Sequence, residues 1–213
     1  MTKPPLAIVW RSVLDVAAYA QAGRSVAAPA SACPDCARAL ARWGGYWRWA
    51  RAGEAQRIWI HRGRCAPCAR THALLPDFLL LERLDAAEVF GAAGARGVGG
   101  VGMRTIASEA GVPLSTVRGW RSRYRARAAE LLAIFGALAV ELGDALSELP
   151  TSVEAAALAA LDSAHHAART RWPGRLGGMW RFASAVCGGG VLDPHTIPRL
   201  GGARLIRFDG ASP

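Results

Sequence analysis

Lysine is almost missing from this chain: Lys3 is the only one among 26 Lys and Arg residues. With Ala and Gly so abundant, that bias reflects GC-rich coding, so the choice of Arg over Lys carries no functional information. Acids are also scarce, 16 against those 26, which leaves a net charge of +10. No long apolar run is present. The longest, residues 131–140, is bracketed by Glu130 and Glu141 and falls short of the roughly 20 residues a membrane span needs. The opening MTKPPLAIVWRSVL lacks a basic-then-apolar leader pattern, and no solenoid-type repeat recurs. These absences exclude a membrane protein and point to the cytoplasm. What is there, 52% hydrophobic residues in 213, suffices for a folded core and excludes global disorder.

The charge is unevenly placed. Residues 38–70 hold eight Arg and one acid, Glu54. Residues 104–127 hold six Arg and one acid, Glu109. Residues 128–168 reverse the sign, with six acids and no Lys or Arg. Two basic segments suggest a polyanionic partner, unless they are merely solvated faces. Phosphate would repel the acidic segment, so a different role is expected for it.

Along the chain, LAIVW (6–10) reads as a short strand, and Val13, Val16, Ala17 and Ala20 have helical spacing before a stop at Gly23. Residues 46–50 and 57–61 read as a β-hairpin with a longer loop at 51–56. In the second strand Ile58 and Ile60 share one face, and Arg57, Trp59 and His61 the other. The aromatics are expected chiefly in the small core of this hairpin, with Trp47 or Trp59 as candidates for exposure. Residues 71–75 suit a third strand ending at Pro76. Asp85 followed by Glu88 suggests an N-cap for a helix over 86–93. The Gly-rich 91–102 then reads as a flexible connection. Its Gly-x-Gly spacing follows no strand and precedes no Lys-Ser/Thr, which argues against a phosphate loop.

Two Cys-x-x-Cys pairs, Cys33/Cys36 and Cys65/Cys68, flank the hairpin. Redox enzymes use one such pair beside a βαβ unit. Four thiolates surround one Zn²⁺ tetrahedrally in closed structural sites, and Pro34 and Pro67 suit the tight turns that present paired sulfurs. The reading is a zinc ribbon holding one structural Zn²⁺ on Cys33, Cys36, Cys65 and Cys68. Metal-free thiols and disulfides are the lesser alternatives, and His61 and His72 rank as substitute ligands. Cys187 reads as a buried free thiol.

Residues 103–127 follow a helix-turn-helix pattern. Ile106, Ala107 and Ala110 form an apolar stripe, Gly111 turns the chain, and Val112 packs inward. Pro113 opens a second helix whose Val117, Trp120 and Tyr124 share a face. Leu114, Ser115, Arg118 and Gly119 are the candidates for base edges, Gly119 by allowing close approach. Thr116, Arg121, Arg123 and Arg125 suit phosphates. On the ribbon, Arg48, Arg57, Arg62 and Arg64 are candidate auxiliary DNA contacts. An ordinary helical hairpin with a wet basic face is the bland alternative.

The run Ile106-Ala-Ser-Glu-Ala-Gly-Val-Pro-Leu-Ser-Thr-Val-Arg-Gly-Trp resembles the helix-turn-helix of insertion-sequence transposases and resolvase-type recombinases. Upstream, Cys65-Ala-Pro-Cys-Ala-Arg-Thr-His-Ala-Leu-Leu-Pro-Asp-Phe resembles the zinc ribbon of a bacterial family of unknown function associated with transposable elements. In that family the ribbon precedes such a helix-turn-helix. The resemblance covers about residues 30–127 and implies DNA binding, though not catalysis.

Beyond it, apolar spacing from Leu131 to Leu149 predicts an amphipathic helix over 126–149, with continuity into the recognition helix at its start as an open option. Residues 150–154 end it and cap another over 153–169, with Leu158, Leu161 and His165 facing inward. A shorter helix is expected over 176–186. Adjacent His165 and His166 point to different sides of a helix, which argues against a cofactor there. Acids on helices do not supply the strand-borne carboxylate cluster of a transposase, and the short N-terminal segment cannot hold a resolvase Ser domain. No enzyme activity is expected.

The expected fold is mainly α with a small β zinc ribbon, a helix-turn-helix and a C-terminal helical bundle. Its segments are an N-terminal strand-helix piece (1–30), the ribbon (31–82), the helix-turn-helix (83–127), an acidic helical region (128–187) and a poorly ordered tail (188–213). The expected function is a non-catalytic mobile-element accessory protein that binds double-stranded DNA in the bacterial nucleoid. Its partner would be a second copy or a recombinase or transposase, and no small-molecule substrate is expected. A transcriptional regulator is the close variant. A protein-interaction adaptor docking through the ribbon or C-terminal helices is the alternative from another class.

Overall fold

The alternation Ile58-Trp59-Ile60 sets the first layer, because a strand sends successive side chains to opposite faces. In the computed structural model, which describes residues 7–144, 146 and 148–193, Ile58 and Ile60 are fully buried and Trp59 and His61 are half-buried. They lie on β3 (Glu54–Cys65), which pairs antiparallel with β2 (Ala41–Ala52). The loop is far shorter than the six residues expected from sequence. Only Gly53 separates the paired Ala52 and Glu54, and its φ of 89° is a conformation glycine adopts without strain. β4 (Arg70–Pro76) runs antiparallel to β3 on its other side. β1 (Ala7–Trp10) then adds parallel to β4, which gives the order β1-β4-β3-β2.

Helix α1 (Val16–Ala22) starts where Asp15 accepts a hydrogen bond from the Ala18 N–H, and it ends at Gly23. Val13, expected on its apolar stripe, precedes the helix and is exposed. The N-terminal segment shares its core with the ribbon: Ala7, Val16, Tyr19 and Val26 pack with Ile58, Ile60, Leu75 and Phe78. The described part of the N-terminal segment, residues 7–30, therefore does not stand apart from 31–82.

A second core is helical. It joins α2 (Ala87–Val98), α3 (Met103–Glu109), α4 (Leu114–Glu141), α5 (Val153–Arg171) and α6 (Met179–Val186) around Phe90, Trp120, Tyr124, Phe135 and Phe182. Three expectations change here. Asp85 does not cap α2, because its carboxylate is taken by Arg51 Nε at 2.6 Å. The Gly-rich stretch is helical as far as Val98 because α2 packs against α6, and a Cβ at Gly91 would overlap the Trp180 ring. Finally, α4 stops at Glu141 rather than at residue 149, before Gly143 with φ 85°, and it is continuous with the expected recognition helix through residue 127. The boundary between 127 and 128 thus falls inside one helix.

The two cores are clamped together. Arg181 Nε donates to Glu88 at 2.6 Å and its Nη1 to the carbonyls of Ser12 and Leu14, with Asp77 at 3.7 Å. Ser184 Oγ donates to the Leu79 carbonyl at 2.6 Å. Residues 188–193, expected to begin a poorly ordered tail, instead bury Val191 and Leu192. The rest of that tail, with Ile197 and residues 205–208, lies outside the described residues. Among the described residues no helix is long and apolar enough to cross a membrane.

Candidate metal centre and basic helix surface

The two knuckles, Cys33-Pro-Asp-Cys36 and Cys65-Ala-Pro-Cys68, are built alike. Each is followed by an alanine in the left-handed region, Ala37 at φ 59° and Ala69 at φ 51°. Such strain in a residue with a Cβ persists only where the surroundings over-determine it. Here the two turns close with Ala37 N–H donating to the Cys33 carbonyl at 2.9 Å and Ala69 N–H to the Ala66 carbonyl at 3.2 Å. The second knuckle is the turn between β3 and β4, since Cys65 pairs with Arg70. Arg70 also reaches Asp35 in the first knuckle at 3.0 Å, which ties the turns together.

All four sulfurs lie within 4.8 Å of one another. Cys36 and Cys65 are 3.4 Å apart and Cys33 and Cys68 3.9 Å. A tetrahedral S₄ site with metal–sulfur bonds of about 2.3 Å has edges of about 3.8 Å, whereas a disulfide bond is about 2.05 Å. All five cysteines are free thiols. The site can hold a metal ion. The Arg38 backbone N–H favours the Cys36 thiolate and lowers that thiol to about 7. Neighbouring sulfurs, Cys36 first, push Cys68 up to about 12. Four sulfurs this close cannot all be anionic without a cation among them.

Sequence reasoning undervalued His72. It is buried, its Nε2 is 3.8 Å from Cys33 Sγ, and with Cys33 and Asp35 it forms a second group within ligand reach. Its spacing four residues after Cys68, on the strand the knuckle opens, was the available signal. His61 belongs elsewhere, with its ring edge-on to Trp59 at 6.4 Å. Cys187 is buried, and burial raises its thiol to about 12. His165 Nε2–H donates to the Gly177 carbonyl, 3.0 Å away, so it is a satisfied core histidine, while His166 is exposed.

Across the molecule, α3 and α4 meet through a tight turn. Gly111 has φ 62°, and Val112 N–H donates to the Ala107 carbonyl at 3.0 Å. Ile106, Ala107, Val112, Val117, Trp120 and Tyr124 are all buried, as their spacing requires. On the outer side Ser115, Arg118, Arg121 and Arg123 are exposed, and Thr116 and Gly119 half-buried. Leu114 leans on the helical core. Among the described residues, Arg118, Arg121 and Arg123 form no ion pair. Arg125 is held by Glu154 at 2.8 Å. Arg127, the last arginine of the basic run, is buried and pairs with Glu130.

The ribbon arginines divide. Arg48 turns inward and donates to the carbonyls of Leu80 and Arg83, so it is a brace rather than a DNA contact. Arg62 is half-buried and bonded to Thr71. Arg57 and Arg64 lie over tryptophan rings, Trp47 at 5.3 Å and Trp43 at 4.3 Å. The aromatics are not the hairpin's core: Trp43, Tyr46, Trp47 and Trp49 are exposed. The hairpin's own share of that core is aliphatic: Ile58, Ile60 and Ala50 meet Tyr19 and Phe78 from outside the hairpin.

Residues 33–109 match a family described as a domain of unknown function, DUF6431. The match covers just over a third of the chain, from the first cysteine to the end of α3. No curated protein and no solved structure matches the chain.

Proposed function

We propose that this is a non-catalytic DNA-binding protein that lays the N-terminal half of α4 into the major groove of duplex DNA. The observation that carries the reading is the set Arg118, Arg121 and Arg123, exposed and in no ion pair among the described residues, on a helix presented by the tight Gly111 turn. In a helix-turn-helix the first residues of such a helix reach base edges and flanking arginines take phosphates. Two of the six acids of the C-terminal region, Glu130 and Glu154, are engaged by Arg127 and Arg125. Zn²⁺ is the ion that best suits four thiolates, and a structural ion of this kind contributes on the order of 10 kcal/mol to folding. The residues that would hold it are Cys33, Cys36, Cys65 and Cys68.

A place among mobile-element accessory proteins of the bacterial nucleoid, acting with a second copy or a recombinase, rests on the resemblance of residues 65–78 and 106–120. A mobility-shift series at several salt concentrations tests the DNA reading. Affinity should fall steeply with salt, Arg118→Ala should change the selected sequences, and Arg121→Ala should weaken all sequences alike. Binding insensitive to salt would overturn it. Metal analysis of the purified protein should give one zinc per chain.

A further inference from the structure

One face of the β2–β3 hairpin carries an arrangement that duplex recognition by α4 leaves unused. The register pairs Trp47 with Trp59 and Trp49 with Arg57, so these four side chains share a face. Trp47 and Trp59 meet edge to face at 5.3 Å. Arg57 lies over Trp47, and Arg24, from the turn after α1, lies over Trp59 at 4.5 Å and Trp47 at 5.9 Å. Trp49, at the open end, is 57% exposed. Large exposed aromatics on a sheet are unusual unless something covers them.

Some arginines of this protein are taken by carboxylates. Arg51, Arg70, Arg96, Arg125 and Arg181 each pair with a carboxylate. Arg24 and Arg57 pair with none among the described residues and rest on indole rings instead. A guanidinium stacked on an aromatic face keeps its N–H edge free to take a phosphate. The only acid between the two cysteine pairs, Glu54, sits at the hairpin tip.

We propose that this face, Trp47, Trp49 and Trp59 with Arg24 and Arg57, binds single-stranded nucleic acid. Bases would stack on the exposed indole of Trp49 and its neighbours, and phosphates would take Arg24 and Arg57. The aromatics decide the occupant. In a duplex the base faces are stacked on each other and only edges and phosphates are presented. Indole rings add nothing there that arginines alone would not supply. An unpaired strand offers a π face on every base and a charge on every phosphate, and this patch alternates in the same way. The site is separate from α4, so the two nucleic-acid readings stand or fall independently.

The test uses the full metal-loaded chain and labelled oligo-dT, oligo-U and a duplex of equal length, read by anisotropy and tryptophan quenching. Trp49→Ala should weaken single-strand binding about tenfold, the usual worth of one stacked base. Trp49→Phe should retain most of it, and Arg57→Ala should weaken it and flatten the salt dependence. Trp43→Ala, within the bulge of β2, should change little. Combined Arg118→Ala and Arg121→Ala should abolish duplex binding and spare oligo-dT. The oligo-dT and oligo-U arms distinguish DNA from RNA, and Trp49-dependent binding of either supports the site. Unchanged single-strand affinity in Trp49→Ala would overturn it. So would a shift of the free protein from dimer to monomer in that variant, which would mark the face as a self-interface.

Discussion

Arg125 Nε lies 2.8 Å from Glu154 Oε1, and the neighbouring Tyr124 hydroxyl donates to the Glu154 carbonyl at 2.9 Å. The acidic region thus reaches back to the basic helix at the first turn of α5. Arg125, a phosphate candidate by sequence, is already engaged. Glu154→Gln should release it. In the proposed DNA reading, duplex affinity then rises and the salt slope steepens by about one phosphate contact. Titration of both proteins over a salt series checks this. An unchanged slope would mean that Arg125 faces no phosphate.

At the candidate metal centre, His72 sits against Cys33 with Nε2 3.8 Å from the sulfur. With the proton on Nε2, the ring steadies the thiolate without being a ligand. His72→Ala should keep one metal per chain yet release it to a chelator at roughly 10–100-fold lower competitor concentration. Cys36→Ser should instead lower the stoichiometry itself. Loss of stoichiometry in His72→Ala would make the histidine a ligand.

Arg48 braces the hairpin against the connector before α2 through the Leu80 and Arg83 carbonyls. Arg48→Ala should cost about 1–3 kcal/mol of stability by leaving buried acceptors unmet. Nucleic-acid affinity, measured well below the melting temperature, should stay the same.

Asp77 is buried, and burial raises its carboxyl to about 6 although Ser12 N–H and Arg181 favour the charged form. A carboxyl with a folded pKa above its unfolded one binds its proton more tightly when folded. Its contribution is full below about pH 4 and is lost as pH rises through about 6, up to about 3 kcal/mol in all. The urea stability of Asp77→Asn relative to the parent should therefore climb between pH 4 and 7. A pH-independent difference would refute the assignment.

Much of the local structure was legible because it depends on short-range spacing. The two knuckles, the Ile58/Ile60 face, the Gly111 turn and the inward row Val117, Trp120, Tyr124 follow from residue type and period alone. The Gly-rich stretch misled because its helix is held by a distant residue: Gly91 is small to admit Trp180. Asp85 misled because a partner 34 positions away, Arg51, outcompetes a capping role.

By itself the sequence determined that four cysteines come in two turns, that a basic helix follows a glycine turn, and that acids are concentrated beyond it. These are local facts, set by backbone preference and side-chain periodicity. Only the tertiary structure decided which charges are available. Arg48 is turned onto backbone carbonyls, Arg127 is buried against Glu130, and Glu154 engages Arg125 from another helix. The indoles of Trp47 and Trp49 lie outside because Tyr19 from α1 and Phe78 and Leu79 from the connector fill the core on the other face of the hairpin. A charge or an aromatic ring acts only on what it can reach, and reach is decided by chain segments far apart in sequence.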